Sequence, residues 1–323
     1  MKAVISTTYG PPAVLKIAEV QKPSPGDDEI LVKISATTVS AADIRIRSFK
    51  VPIALWIPAR LVLGITKPKR NILGVELAGT VEAVGRNVSL FKTGDEVFAA
   101  SLQKFGTYAE YITLKEDAAI ARKPKTISLE EAASLPIGAR TALHFLRKAG
   151  IRQEQSVLIY GASGSVGTYA VQLAKYFGAK VTGVCGPGNL DLVKSLGADA
   201  VLDYTQKDFA THMAVYDIVF VSVDKISFSK CNRHLKKEGV YINIATAGKT
   251  PEMIWAQTIQ GKKIIVGENV PEGPELLNFL TRLVETDKLR PIIDRRYKLS
   301  DIRDAHTYVE QGHKRGNVVV QID

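Results

Sequence analysis

The chain opens with short apolar runs rich in β-branched residues. Met1–Ser6, Leu15–Val20, Glu29–Thr38 and Thr80–Val84 read as strands. Between them stand Gly10-Pro11-Pro12, Pro23-Ser24-Pro25-Gly26-Asp27 and Lys92-Thr93-Gly94-Asp95, segments whose glycines and prolines turn the backbone. Short strands at this spacing predict a small barrel or sandwich. The pattern changes near Pro124. Ser128 followed by Glu130 and Glu131 predicts a helix start, and a second helix is expected over Thr141–Ala149. From Gln155 onward, apolar runs alternate with helical periodicity. Strands are expected at Ser156–Tyr160, Lys180–Val184, Ala200–Leu202, Asp217–Val221, Gly239–Ile244 and Lys263–Gly267. Helices are expected at Val166–Phe177, Leu190–Leu196 and Phe228–Leu235. Such alternation predicts a parallel sheet covered on both faces. A helix over Pro274–Thr286, an extended stretch, a short helix near Asp301–Glu310 and a strand over Gly316–Ile322 complete the chain. That last strand has no place in the alternation, so it is expected to rejoin the N-terminal strands.

Composition narrows the class. With 46% apolar and 24% charged residues over 323 positions, the chain reads as globular, with length for two domains. Two cysteines, Cys185 and Cys231, exclude a disulfide framework and a four-cysteine zinc site, and suit a reducing compartment such as the cytoplasm. The opening MKAVIST has no long apolar core, so no signal peptide is expected. The apolar stretch from Val51 to Ile65 is interrupted by Pro52, Pro58 and Arg60 and is too short to span a bilayer.

The formal charge of +10 suits nucleic acid, an anionic membrane or a small anionic ligand. No RRM, KH or helix-turn-helix pattern accompanies it, which argues against nucleic acid. Most of the excess is local. Arg45, Arg47, Lys50, Arg60, Lys67, Lys69 and Arg70 fall between Ile44 and Val75, where there is no acidic residue. The same stretch holds the apolar run Pro52–Gly64, with Leu55, Trp56, Ile57, Leu61 and Leu63. Four readings stay open for it: steering an anionic cofactor, gating a hydrophobic acceptor, resting on a membrane surface as a peripheral contact, or a solvated loop with a buried anchor.

The sharpest chemical feature is Gly161-Ala162-Ser163-Gly164-Ser165-Val166-Gly167, which follows an apolar strand and opens a helix. Glycines permit the tight turn and a close backbone approach. A helix N-terminus offers free N–H groups to a pyrophosphate. In a strand–turn–helix context this spacing predicts dinucleotide binding. An NAD site carries an acid about 20 residues on, at the ribose 2′-hydroxyl. Here no acidic residue occurs between Ala162 and Leu190, and the second strand ends Cys185-Gly186-Pro187-Gly188-Asn189. NADPH is therefore expected over NADH, with Cys185, Gly186 and Asn189 at that end. Lys180, Lys194 and Tyr204 are candidate partners of the 2′-phosphate. Ala245, Thr246 and Ala247, after the fifth strand of the sheet, are expected along the nicotinamide because ligands bind at the C-terminal strand edge. Gly267-Glu268-Asn269-Val270 is a second candidate for that edge.

Several further segments carry a family pattern. They are Gly74-Val75-Glu76-Leu77-Ala78-Gly79, Gly94-Asp95-Glu96-Val97-Phe98, Gly106-Thr107-Tyr108-Ala109-Glu110-Tyr111, Ala132-Ala133-Ser134-Leu135-Pro136, the glycine-rich turn, and Leu196-Gly197-Ala198-Asp199. In order and along nearly the whole chain, they resemble the medium-chain dehydrogenase/reductase superfamily. The nearest likeness is to its zinc-free quinone oxidoreductase branch, including the plant chloroplast-envelope type. The resemblance implies an α/β plus β architecture: a GroES-like β-barrel catalytic domain (1–123 with 272–323), an inserted Rossmann domain (124–271), and a homodimer. Zinc-dependent members place His before the glutamate of the motif that here reads Gly74-Val75-Glu76, and Cys near Ser40-Ala41. Val75, Ser40 and Ala41 supply neither ligand, so no metal is expected, and Glu76 is left as a structural acid. Without a Lewis acid, alcohol oxidation is disfavoured. Reduction of a quinone or an α,β-unsaturated carbonyl is expected.

By the same resemblance, Ser40 and Asp43 stand at the nicotinamide end, although relatives often carry Asn where Ser40 stands. Arg45 is a candidate oxyanion contact or a solvated strand-end arginine. Thr141 is a candidate nicotinamide neighbour or a helix N-cap. The proton donor stays open among Tyr108, Tyr9 and water. The alternative function is a non-catalytic NADPH-binding sensor or structural protein of the same fold.

Overall fold

The computed structural model describes residues 1–51, 56–207, 209–246 and 248–322. Ala247 and the part of the apolar run from Pro52 to Leu55 lie outside the described residues. The chain forms two compact units. One comprises Met1–Ile137, Glu272–Asp287 and Pro291–Asp323, and the other Gly138–Pro271 with Lys288–Arg290.

The first unit begins with β1 (Lys2–Ser6), β2 (Leu15–Glu19), β3 (Glu29–Val39), α1 (Ala41–Ser48), α2 (Trp56–Leu63), β4 (Glu76–Val84), β5 (Glu96–Ala100), β6 (Tyr111–Lys115), β7 (Ile120–Arg122) and α3 (Leu129–Ala133). The second holds α4 (Gly138–Ala149), β8 (Ser156–Tyr160), α5 (Ser165–Tyr176), β9 (Lys180–Cys185), α6 (Leu190–Ser195), β10 (Ala200–Asp203), β11 (Tyr216–Val221), α7 (Phe228–Arg233), β12 (Leu235–Asn243), α8 (Pro251–Ile259) and β13 (Lys263–Val266). The chain then returns to the first unit with α9 (Glu275–Glu285), β14 (Ile293–Lys298), α10 (Ile302–Glu310) and β15 (Asn317–Gln321).

In the first unit, β3 is long enough to pair three strands. One edge meets β4 along most of its length. The other meets β6 over its first half and β15 over its last four residues. The sheet runs β14-β15-β3-β4-β5-β7. The final strand therefore rejoins the N-terminal strands, antiparallel to β3, as its isolation in the sequence pattern required. Ile30, Val32, Ile34, Leu77 and Val97 fill the core between these strands. Each such side chain contributes about 1.5–3 kcal/mol by leaving water.

The second unit is a six-stranded parallel sheet in the order β10-β9-β8-β11-β12-β13. Numbered within the unit this is 3-2-1-4-5-6, the doubly wound dinucleotide-binding order, whose ligand crevice lies at the C-terminal strand ends where the order reverses. That switch point falls between β8 and β11.

The fold differs from the sequence reading at identifiable places. Residues 124–137 join the first unit, because α3 packs against β3, β4 and β5. Two helices, α1 and α2, occupy stretches with no strong apolar period. Three short strands owe their existence to pairing: β5 with β4, β6 with β3 and β7 with β5. Helix α8 is set by Thr250, whose Oγ1 accepts from the Met253 N–H at 3.3 Å, and by Pro251 in its first turn. Helix α4 starts at Gly138 rather than Thr141, so Thr141 sits in its first turn and is not the N-cap.

Candidate functional site

The glycine-rich turn leaves β8 at Gly161 and enters α5 at Ser165. Gly161 has φ +83, and a Cβ there would lie 2.5 Å from Ser222 Oγ. Gly167 has no room either: its Cβ would come within 2.1 Å of the Gly161 carbonyl oxygen. Gly164 is the N-cap of α5 and offers no side chain to the first turn. The N-terminal N–H groups of a twelve-residue helix are thus left without a side-chain cap at the sheet's C-terminal edge. A Cβ-free cradle before an uncapped helix is what a pyrophosphate requires.

Neighbouring groups gather around the same edge. Asn189 Nδ2 donates to Ser163 Oγ at 3.2 Å, while Asn189 Oδ1 is buried with no hydrogen-bond partner among the described residues. Cys185 closes β9 as a buried free thiol, pushed up to about 11 by burial. The Tyr204 phenol lies over Gly186, where a Cβ would sit 3.4 Å from its hydroxyl. Lys194 is exposed on α6. Beyond β12, the Ala245 N–H donates to Asn243 Oδ1 at 2.9 Å, and Thr246 follows, half-buried. Gly138 lets α4 approach α5, since a Cβ there would meet Ser165 Oγ at 2.8 Å and the Tyr169 ring at 3.0 Å, and Thr141 follows in the same helix. In the segment after β13, Glu268 is engaged by Lys148 of α4.

Lys180 does not belong to this group. It begins β9, and Cys185 ends it. At about 3.3 Å per residue the two lie on opposite sheet edges. Its ammonium instead pairs with Glu154 at 2.9 Å.

The first unit holds a second, buried constellation. Ser40 caps α1 through a reciprocal box: its Oγ accepts from the Asp43 N–H at 3.4 Å, and its own N–H donates to Asp43 Oδ2 at 2.9 Å. The Ser40 hydroxyl also lies 2.6 Å from Asp43 Oδ2. Burial pushes the Asp43 carboxyl up to about 6. Arg45 lies on α1, not at a strand end, and two residues of helix turn it roughly 200° from Asp43. Asp43 is accordingly buried and Arg45 exposed, so the two do not converge.

Glu76 is buried at the start of β4. Its Oε1 accepts from the Thr38 hydroxyl, and its Oε2 from the Ile137 N–H at 2.7 Å. Its backbone carbonyl accepts from Thr37 Oγ1, also at 2.7 Å. Burial pushes its carboxyl up to about 7 against these hydrogen bonds. The half-buried Lys314 faces it electrostatically and is driven down to about 8 by desolvation. Sequence reasoning missed Lys314, and it missed His306. The His306 ring meets the Tyr108 hydroxyl at 3.2 Å, deep in the core, and burial holds the imidazole down to about 3. No local signal joins residues 198 positions apart. Tyr108 also donates to the Thr38 carbonyl at 3.3 Å, and Tyr9 to the Gly64 carbonyl at 3.1 Å. Both phenols are thus engaged within the fold.

The strand order, the uncapped turn and the β unit define a class: a dinucleotide-binding fold of the oxidoreductase kind joined to a GroES-like domain. Residues 26–125 match the alcohol dehydrogenase GroES-like domain, and residues 196–320 match the zinc-binding dehydrogenase family. A quinone-oxidoreductase homolog from chloroplasts of Spinacia oleracea is 35% identical, over 99% of this chain and 98% of that protein. A chloroplastic NADPH-dependent alkenal/one oxidoreductase of Arabidopsis thaliana is 31% identical, over 99% of this chain and 79% of its own. The structure of a quinone oxidoreductase from Coxiella burnetii superposes with a TM-score of 0.88 at 29% identity, covering 100% and 99% of the two chains. The chain belongs to the medium-chain dehydrogenase/reductase superfamily, in its quinone oxidoreductase-like branch.

One matched description implies zinc, and the residues here do not fit it. Val75 is a fully buried hydrocarbon, and the Ser40 hydroxyl is tied to Asp43. Among the described residues no three His, Cys, Asp or Glu side chains are grouped to hold an ion.

Proposed function

We propose that the chain is an NADPH-dependent reductase that delivers hydride to a quinone or an α,β-unsaturated carbonyl without a metal. The observation that carries this reading is the uncapped α5 turn with no acidic residue in the chain from Ala162 to Leu190, where an NAD site would carry one at the ribose; Asp203, beside Cys185 on β10, is engaged by Thr205 and Gln206. The activities named for the spinach and Arabidopsis relatives support the acceptor class.

The chain's own groups suit NADPH. Gly161, Ala162, Gly164, Ser165, Val166 and Gly167 would hold the pyrophosphate through backbone N–H groups. Ser163, Asn189, Tyr204 and Lys194 would hold the 2′-phosphate side, with Cys185 and Gly186 as the floor. Ala245 and Thr246 would line the nicotinamide. When bound, the cofactor supplies the hydride, and the protein supplies orientation. Holding donor and acceptor in register is worth about 7–11 kcal/mol in favourable cases. Thr141 and Arg45 are the proposed polar contacts of the acceptor. Ser40 and Asp43 are positioning residues, since their hydrogen bonds to each other fix the start of α1.

A homodimer and a cytoplasmic location complete the proposal. The two buried free cysteines suit a reducing compartment. No described helix is long and apolar enough to cross a membrane. The test is NADPH consumption, beside NADH, with a panel of quinones and alkenals. Tight NADPH binding with no turnover above the uncatalysed rate would overturn the reductase and leave the non-catalytic binder. Equal efficiency with NADH would overturn the cofactor preference.

A further inference from the structure

Helix α2 holds an apolar ridge out to solvent. Ile57, Leu61 and Val62 are 68%, 60% and 72% exposed, and Ile65, just past the helix, is 67% exposed. The opposite face is locked in place. Arg60 turns inward, its guanidinium 3.8 Å from the Phe49 ring centre, 4.9 Å from Trp56 and 5.0 Å from Tyr9. Its Nη1 donates to the Ile65 carbonyl at 2.7 Å. The following turn is tied down as well. The Lys69 N–H donates to the Leu63 carbonyl at 2.8 Å, and the Tyr9 hydroxyl holds the Gly64 carbonyl. Gly64 has φ +125, and a Cβ there would sit 2.0 Å from the Lys67 carbonyl oxygen. Rolling the helix to bury Ile57 and Leu61 would pull Arg60 from the Phe49 and Tyr9 rings, which belong to other segments. The aliphatic ridge is therefore a fixed feature of the surface.

Its charge setting is one-sided. Lys50, Lys67, Lys69 and Arg70 are exposed around it, and no acidic residue occurs from Ile44 to Val75. A second copy of the same face would bring like charges together. Aliphatic side chains ringed by cations suit a surface that is apolar within and anionic at its boundary. An eight-residue helix is about 12 Å long, far short of a hydrocarbon core of about 30 Å, so it can only lie on such a surface.

We propose that α2 and the turn from Gly64 to Arg70 dock the protein on an anionic phospholipid bilayer, with Ile57, Leu61, Val62 and Ile65 entering the acyl boundary and Lys50, Lys67 and Arg70 at the headgroups. This docking is independent of the reductase reading and does not rest on it.

The chain has two tryptophans, Trp56 on α2 and Trp255 on α8 of the other unit, and both are exposed. A full-length Trp255→Phe protein reports Trp56 alone. Its emission is expected to shift to the blue with phosphatidylcholine vesicles containing phosphatidylglycerol, and not with phosphatidylcholine alone. Trp56→Phe, which reports Trp255, should show no shift. In co-sedimentation, Leu61→Glu with Val62→Glu should abolish binding. A cation near an anionic surface contributes roughly fivefold to partitioning, so Lys50→Gln, Lys67→Gln and Arg70→Gln together should lower it on the order of a hundredfold. High salt should release the unaltered protein, which keeps the test alive if a variant fails to fold. Failure of the unaltered protein to sediment with phosphatidylglycerol vesicles would overturn the proposal. So would undiminished binding by Leu61→Glu with Val62→Glu, a shift confined to Trp255, or self-association that this pair abolishes in a protein that binds no vesicle.

Discussion

Gly164→Asp separates a nucleotide cradle from a turn that exists only for packing. Gly164 has N-cap geometry, with φ −80 and ψ 178, and makes no side-chain cap. A Cβ there meets nothing closer than the Gly161 carbonyl oxygen at 3.5 Å, so an aspartate enters without strain. Its carboxylate would accept from the first-turn N–H groups and face the positive end of α5. A cap of this kind contributes about 1 kcal/mol to stability, which raises the melting temperature by roughly 2–4 °C in a chain of this size. The same N–H groups are then unavailable to a pyrophosphate. Anion binding at a helix N-terminus is worth up to about 2 kcal/mol, so the Kd for NADPH should rise by up to about thirtyfold from that loss alone. Repulsion between the new carboxylate and the phosphates adds to it. The variant should therefore be more stable without nucleotide and bind NADPH worse. Thermal unfolding without nucleotide and fluorescence titration with NADPH measure the two halves. Gly164→Asn adds the cap without the charge and apportions the affinity loss. A stabilised Gly164→Asp protein that binds NADPH as tightly as the parent would refute the assignment of α5 as the pyrophosphate site.

Gly167→Ala should do the reverse, losing stability first. Its Cβ would strike backbone atoms at 2.1–2.9 Å, which cannot rotate aside, so a cost near the top of the overpacking range, about 3 kcal/mol, is expected as a fall of roughly 6–12 °C in melting temperature. Lys180→Ala should leave the ratio of NADPH to NADH efficiency unchanged, whereas Tyr204→Phe combined with Lys194→Ala should lower it; a fall with Lys180→Ala alone would contradict the placement of β9. The buried carboxyls of Asp43 and Glu76, at about 6 and about 7, bind protons more tightly folded than unfolded. Their contribution to stability is thus complete below the ordinary carboxylate range and is lost as pH rises through about 6 and about 7, on the order of 3 kcal/mol for Glu76. Unfolding measured between acid and mildly alkaline pH should show that decline. Glu76→Gln, which stays neutral and can still accept from the Ile137 N–H, should flatten it.

What was legible in the sequence is what local chemistry fixes. The run from Ser156 to Gly167 announces strand, turn and helix because glycine spacing and apolar period agree there. The last strand was placed by elimination, having no partner in the α/β series. Glu76 was readable as a structural acid because Val75 removes the reason for a metal beside it. Helices α1 and α2 were not readable. The first depends on a box between Ser40 and Asp43, in which aspartate stands where glutamate usually signals it. The second depends on a cage for Arg60 built from Tyr9, Phe49 and Trp56, residues with no periodic relation. Lys180 was misassigned because composition near a strand does not say at which end a residue falls. His306 and Lys314 were invisible because each acquires its neighbours only when α10 and β15 close on β3.

The acid cluster of the first unit ties its segments together by hydrogen bonds. Three separate segments must be held together there: the end of β3, the start of β4, and Ile137, the last residue before α4. Glu76 reaches all three, through Thr38 on β3, its own backbone carbonyl to Thr37, and the Ile137 N–H. Asp43 adds the turn into α1 by fixing Ser40. These buried, hydrogen-bonded carboxyls tie the segments together and are turned to Ser40, Thr38 and the Ile137 N–H. An alcohol needs its proton withdrawn and its alkoxide stabilised, the work of a Lewis acid. A quinone or enone already carries the electron-poor carbon and asks mainly for position. The hydrogen-bonded ties of β3, β4 and α1 accord with the proposed reduction of polarised double bonds.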